Sequence, residues 1–255
     1  MNITLCQADG DQSKYESTRE TLASFGYEFS DRRCTQVPCG KDPNLTPDHE
    51  NWDAMIRSIH RAEGDMVYMD WEFPDHIARH KLNTEQQRLT KKQFFEEGRR
   101  AGKQMAMWGE PGIYINHKRP MSQTAMYECL KTPTPDFVVT GAYLTKHLDT
   151  PREQIMFISN AQWWVNSVRR MSPKPDIYLA FQLVIRPDGQ TFVEMNDDEA
   201  WLLGRTLAAS GANAMWWFEN GNNGNHLDAQ LRRAERLAPV FLDGWNSIGI
   251  AGGTR

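Results

Sequence analysis

The chain has 255 residues, enough for one large α/β domain whose core needs neither disulfides nor a metal to hold it. Its 29 basic and 33 acidic residues leave a formal charge of −4, and no long basic block appears, which argues against nucleic acid as the main partner. No apolar run approaches the roughly 18 residues of a membrane span. The opening "MNITLCQADGDQ" lacks the charged start and apolar core of a signal peptide, so the chain is expected to be cytosolic as made, or released by a non-classical or phage-associated route. Cys6, Cys34, Cys39 and Cys129 form no CxxC pair and suit no common zinc spacing. They read as scattered thiols, with a Cys34–Cys39 bridge left open.

In chain order, "NITLCQ" predicts a strand and "SKYESTRETLASFG" a helix ended by Gly26. Residues 28–47 are polar and contain proline, and are expected to be mostly loop. "DHENWDAMIRSIHRAEG" carries Trp52, Met55, Ile56 and Ile59 at helical spacing, with Gly64 closing it. The strand "DMVYMDWE" follows, then a helix from a Thr84 cap through "NTEQQRLTKKQFFEEGRRAGK", and the strand "QMAMWGEPG". The alternation continues with helix "MSQTAMYECLK", strand "DFVVTGAYL", helix "TPREQIMFISNAQWWVNSVRRM" and strand "DIYLAFQLV". Helix "NDDEAWLLGRTLAASG", capped by Asn196 or Asp197 and ended by Gly211, leads to strand "ANAMWWFENG" and a last helix, "NHLDAQLRRAERLAPVFLDGW". Trp163 and Trp164 fall on a helix and read as packing residues.

Strands recur every 35–40 residues or so, the length of a βαβ unit. "QADGDQSKY" after the first strand has neither GxGxxG nor GxxxxGK[ST], so a dinucleotide fold gives way to a barrel. No composition break marks a second domain. The expected architecture is a single α/β domain over residues 1–255, a (β/α) TIM-type barrel. Counting back from the last strand makes "DMVYMDWE" about the fourth, which leaves too little chain before it and predicts a barrel irregular or incomplete on its N-terminal side.

Asp70 and Glu72 end an otherwise apolar strand and, two residues apart, are expected to share one face with Tyr68, while Met69 and Trp71 take the other. The C-terminal end of a barrel strand opens into the active site. Two carboxylates close together near apolar groups push one pKa upward, which keeps a general acid protonated near neutral pH.

"DMVYMDWEFP" resembles the fourth-strand signature of family 18 glycoside hydrolases, DxxDxDxE followed by an aromatic and often proline. Asp65, Asp70 and Glu72 match it, and Tyr68 stands in place of its middle Asp. "MDWE" also resembles the strand end of the family 56 hyaluronidases. Downstream, "MAMWGEPGIYIN", "FVVTGAYLT" and "SGANAMWWFEN" are similar to further hyaluronidase strands, and the agreement covers roughly residues 50–225. The resemblance implies hydrolysis of β-linked N-acetylhexosaminides by substrate assistance, in which the acetamido oxygen attacks its own anomeric carbon. Glu72 would then be the acid and base, Asp70 would orient the acetamide, and Tyr143 would hydrogen-bond its oxygen. Tyr68, Trp108, Glu110, Tyr114, Trp216, Phe218, Glu219 and Asn220 are the expected sugar-binding residues. Trp216 and Trp217 are adjacent, so only one of them can face the mouth. The expected partner is an oligo- or polysaccharide, with no cofactor.

Three other readings compete. Asp75, His76 and His80 in "DHIARH" have the i, i+4 histidine spacing of a metal site. A second reading is a barrel of the same descent that binds a glycan without cutting it, which the Tyr68 departure keeps open. A peptidoglycan hydrolase would use the same chemistry. The sequence does not choose among chitin, hyaluronan, peptidoglycan and N-glycans.

Overall fold

The computed structural model describes residues 3–8, 15–40, 45–71, 85–108, 133–171, 175–185, 192–218 and 224–248. Strands β1 (Ile3–Ala8), β2 (Phe29–Gly40), β3 (Met66–Trp71), β4 (Gln104–Met107), β5 (Phe137–Gly141) and β6 (Asp176–Phe181) are followed by a short antiparallel pair, β7 (Val184–Ile185) and β8 (Val193–Glu194), and by β9 (Asn213–Phe218). All but β7 and β8 form one seven-stranded parallel sheet, in the order β4-β3-β2-β1-β9-β6-β5. The described helices are α1 (Tyr15–Ser24), α2 (Trp52–Arg61), α3 (Glu85–Arg100), α4 (Pro151–Met171), α5 (Asp197–Ser210) and α6 (Gly224–Asn246). The result is a nearly closed (β/α) barrel. No helix among the described residues is long and apolar enough to cross a membrane.

The two outer strands of the sheet, β4 and β5, meet at a seam made partly by a side chain. The Asp136 amide donates to the Met105 carbonyl at 2.9 Å, and the Asp136 carboxylate accepts from the Met105 amide, also at 2.9 Å. Three residues further along each strand, Trp108 and Val139 form a parallel bridge.

Residues 29–40, expected as loop, are instead the longest strand, β2. Its first half is polar because Arg32 binds Asp65, Asp176 and Gln104 while Asp31 and Arg33 form ion pairs with Arg19, Glu16 and Glu63, and its proline is tolerated near the strand's end, where the pairing with β3 shifts register. With β2 restored, "DMVYMDWE" is the third strand and not the fourth. Among the described residues the barrel sheet has seven strands, with β1 and β2 ahead of this one in the chain.

Helix ends follow local chemistry. The Asn196 side chain accepts from the Glu199 amide and the Glu199 carboxylate accepts from the Asn196 amide, a reciprocal cap at the start of α5. Gly211 ends that helix with φ 69°, a left-handed conformation that glycine adopts without strain. Helix α2 ends at Ala62 rather than at Gly64. Gly64 serves a close approach instead, since a Cβ there would lie 2.4 Å from the Arg33 carbonyl oxygen. The "MSQTAMYECLK" helix and Thr84 lie outside the described residues.

Alternation along the strands divides the core in two. Cys6, Cys34, Met66, Tyr68, Ala106, Phe137, Val139, Tyr178, Ala180 and Met215 fill the barrel interior. The residues between them, such as Leu5, Val67, Met69, Leu179 and Trp216, turn outward under the helices. There Phe241 of α6 stacks on Phe181 at 5.3 Å, both wholly buried, and each such ring contributes roughly 2 kcal/mol by leaving water.

The floor of the barrel is polar. Arg32 of β2 donates to Asp65 at 3.1 Å, to Asp176 and the Tyr178 hydroxyl at 2.9 Å each, and to Gln104. One guanidinium thus ties the starts of β2, β3, β4 and β6 together.

Candidate active site

At the opposite, C-terminal end the interior side chains change character. Strand parity puts Asp70 above Tyr68 on the inner face of β3, with Met69 and Trp71 in the outer layer, as the sequence pattern requires. Asp70 is partly buried. Its Oδ2 accepts a hydrogen bond from Gln36 Nε2 at 2.5 Å, and Gln36 Oε1 accepts from the Trp217 indole at 2.6 Å.

Three aromatic rings stand in a row that starts at Tyr68, two residues before this carboxylate on the same strand face. Trp108 stands 5.4 Å from the Tyr68 ring and 6.1 Å from the Tyr143 ring, at tilted angles. Tyr143 lies just past β5, and its ring folds back over Gly141: a Cβ at Gly141 would sit 2.5 Å from the ring edge. The loop carrying Tyr143 is pinned twice. Leu144 bridges to Ile185 of β7, and His147 bonds Glu199 at 2.7 Å. The structure therefore brings Tyr68, Asp70, Trp108 and Tyr143 together.

Burial dominates the electrostatics of the interior. It pushes the Tyr68 phenol well above its ordinary value, and nearby Cys6, Asp70, Cys34 and Tyr143 push it the same way. Tyr68 is therefore a neutral phenol, able to donate, at any physiological pH. Burial also raises the Cys34 and Cys39 thiols well above their usual range. Cys6, Cys34 and Cys39 are free, so no Cys34–Cys39 bridge forms.

Trp216 needs correction as a mouth-lining residue. Its ring packs in the outer layer, 4.7 Å from Tyr27 and 5.0 Å from Phe181, while Trp217 is the ring that enters the interior. Glu72, Glu110, Tyr114, Glu219 and Asn220 lie outside the described residues, as does the side chain of Phe218. Asp75, His76 and His80 do too. Among the described residues no group of three or more His, Cys, Asp or Glu is placed to hold a metal.

Gln36 is the site residue that sequence reasoning missed. Its signal was present in "RRCTQVPC", where Cys34 and Gln36 alternate with Thr35, Val37 and Cys39, but Pro38 and the charged start masked the period of two.

No family model matches the chain, and no curated protein matches it significantly in sequence. Solved structures do match in fold. Bee venom hyaluronidase in complex with a hyaluronic acid tetramer aligns over 93% of this chain and 98% of its own, with a TM-score of 0.62 and 11% identity. A monoclinic crystal form of bee venom hyaluronidase aligns over 93% and 99%, with a TM-score of 0.59 and 10% identity. At such identity the likeness defines the fold: a single TIM-type barrel of the hyaluronidase shape, matched along nearly its whole length.

Proposed function

We propose that the protein is a glycoside hydrolase that cleaves β-linked N-acetylhexosamine-containing glycans with retention, the substrate's own acetamide serving as nucleophile. The observation that carries the reading is the position of Asp70. It is a carboxylate at the C-terminal end of an inner strand face, walled by Tyr68, Trp108 and Tyr143, and followed in sequence by Trp71 and Glu72. The barrel's likeness to a hyaluronidase that binds a hyaluronic acid tetramer supports the same reading.

In this reading the acetamido oxygen attacks the anomeric carbon as the bond to the leaving oxygen breaks. Glu72 gives its proton to that oxygen. Water then opens the resulting oxazolinium ring and gives a proton to Glu72. Asp70 faces the ring that becomes positive, and Tyr143 donates to the acetamido oxygen. The nucleophile is already attached to the substrate, so holding it beside the reacting carbon supplies part of the rate. Trp108 and Trp217 offer flat faces for sugar C–H groups.

The test is product release from chitin, hyaluronan and peptidoglycan oligosaccharides by wild type and by Glu72→Gln. Wild type should cleave one of them, and Glu72→Gln should lose roughly two to four orders of magnitude in kcat while still binding it. Equal cleavage by both proteins would remove Glu72 from its role. Binding without cleavage by either would favour a glycan-binding barrel, the second reading, which Tyr68 in place of an acid favours.

A further inference from the structure

We propose that Gln36 is a positioning residue that steers any proton on Asp70 toward one of its two oxygens, with Trp217 fixing the orientation of Gln36. Its catalytic consequence rests on the reading of Asp70 given above. The placement of the proton does not.

The argument runs on donors and acceptors. An indole N–H can only donate. Trp217 Nε1 points at one end of the Gln36 amide at 2.6 Å, so that end must be the oxygen. A turned amide would set N–H against N–H. The other end, 2.5 Å from Asp70 Oδ2, is therefore the NH₂ group, which also only donates. Asp70 Oδ2 must then accept, and a proton on Asp70 is steered to Oδ1, because a protonated Oδ2 would be the weaker acceptor. Gln36 is 7% exposed, which leaves little room for water to scramble this order. The contact between Trp217 and Gln36 joins residues 181 apart in sequence, and it reaches from β9 past β1 to β2.

Two effects follow. A donor held on Oδ2 favours the ionised carboxylate and lowers its affinity for a proton. The donor is neutral, so it orients Asp70 without cancelling its charge. An acid that must face a developing positive centre needs both properties. An arginine in the place of Gln36 would supply the first and cancel the second.

The experiment is carboxyl ¹³C NMR of the labelled full chain against pH. The Asp70 signal is assigned by its disappearance in Asp70→Asn. In Gln36→Met the Asp70 midpoint should rise by about one pH unit, because a hydrogen bond to the ionised form is lost. Trp217→Phe should raise it by less, since the amide is freed to turn but not removed. In wild type the Trp217 indole ¹H–¹⁵N signal should shift with the same midpoint as the Asp70 carboxyl. An unchanged midpoint in a folded Gln36→Met overturns the proposal. So does a Trp217 indole signal that ignores the Asp70 titration, a measurement that needs no variant to fold. If wild type proves to cleave a glycan, Gln36→Met should also lower kcat about tenfold with little change in KM and move the acid limb of the pH profile upward. If wild type cleaves nothing, the reading of the site fails while the NMR result still decides the role of Gln36.

Discussion

At the N-terminal end of the barrel, Asp65 and Asp176 face the guanidinium of Arg32, while at the C-terminal end Asp70 faces the amide of Gln36. Both arrangements fix carboxylates by hydrogen bonds from another strand, and the same strand, β2, supplies both donors. The donor's charge separates them. A cation neutralises its acids and binds strands together, so the floor holds the barrel closed. A neutral amide orients its acid and leaves the charge available to whatever enters the mouth. On the proposed reading, the two ends of one strand thus divide stability from chemistry, as barrels in general do.

Three substitutions probe this division. The largest effect is expected at the mouth, from Gly141→Ala. The new Cβ would meet the Tyr143 ring at 2.5 Å and push it aside. Displacing a positioned group by about an ångström costs on the order of a hundredfold in rate, so kcat on whichever oligosaccharide is cleaved should fall by about that factor, with a smaller loss of stability. Unchanged kcat with a shifted Tyr143 would take that tyrosine out of the chemistry.

At the floor, Arg32→Met should leave the Asp70 titration where it is and lower unfolding free energy by about 2 kcal/mol in denaturant melts. The figure is modest because Asp65 and Asp176 are half exposed and water can replace part of what they lose. A shift of the Asp70 midpoint in this variant would show that the two ends are coupled.

The smallest effect concerns Tyr178, whose phenol is pushed up to about 12, chiefly by burial. The folded state therefore keeps a proton that the unfolded chain gives up from about pH 10. Stability from this group is intact below pH 10 and declines as pH rises toward 12. Tyr178→Phe should flatten that part of the alkaline unfolding curve. A curve identical to wild type would assign the alkaline loss to other buried phenols such as Tyr15, also raised to about 12.

Much of this was readable in the chain. The period of two in "MVYMDW" placed Asp70 and Tyr68 on one face, and "NDDE" announced the cap of α5. Both patterns depend on residues a few positions apart. β2 was hidden because its residues answer to partners far away: Arg32 looks like a loop residue until Asp176, 144 positions on, stands beside it. Gln36 reads as surface polar until Trp217 arrives from the other end of the chain. Parity also predicted that Trp216 and Trp217 would part company, but not which would turn inward, since that depends on the register of β9 against β1, where Trp217 pairs with Cys6.

That register has a consequence for how the protein comes to be made. β1 is synthesised before every other described strand, yet one of its two edges pairs with β9, the last described strand of the sheet. Every described strand between the two must be synthesised before that edge is covered. Until then β1 and β2 present an open, apolar border of the kind that recruits other chains. Folding is accordingly expected to be slow, governed by long-range closure, and the nascent chain to depend on chaperones more than its balanced surface charge suggests.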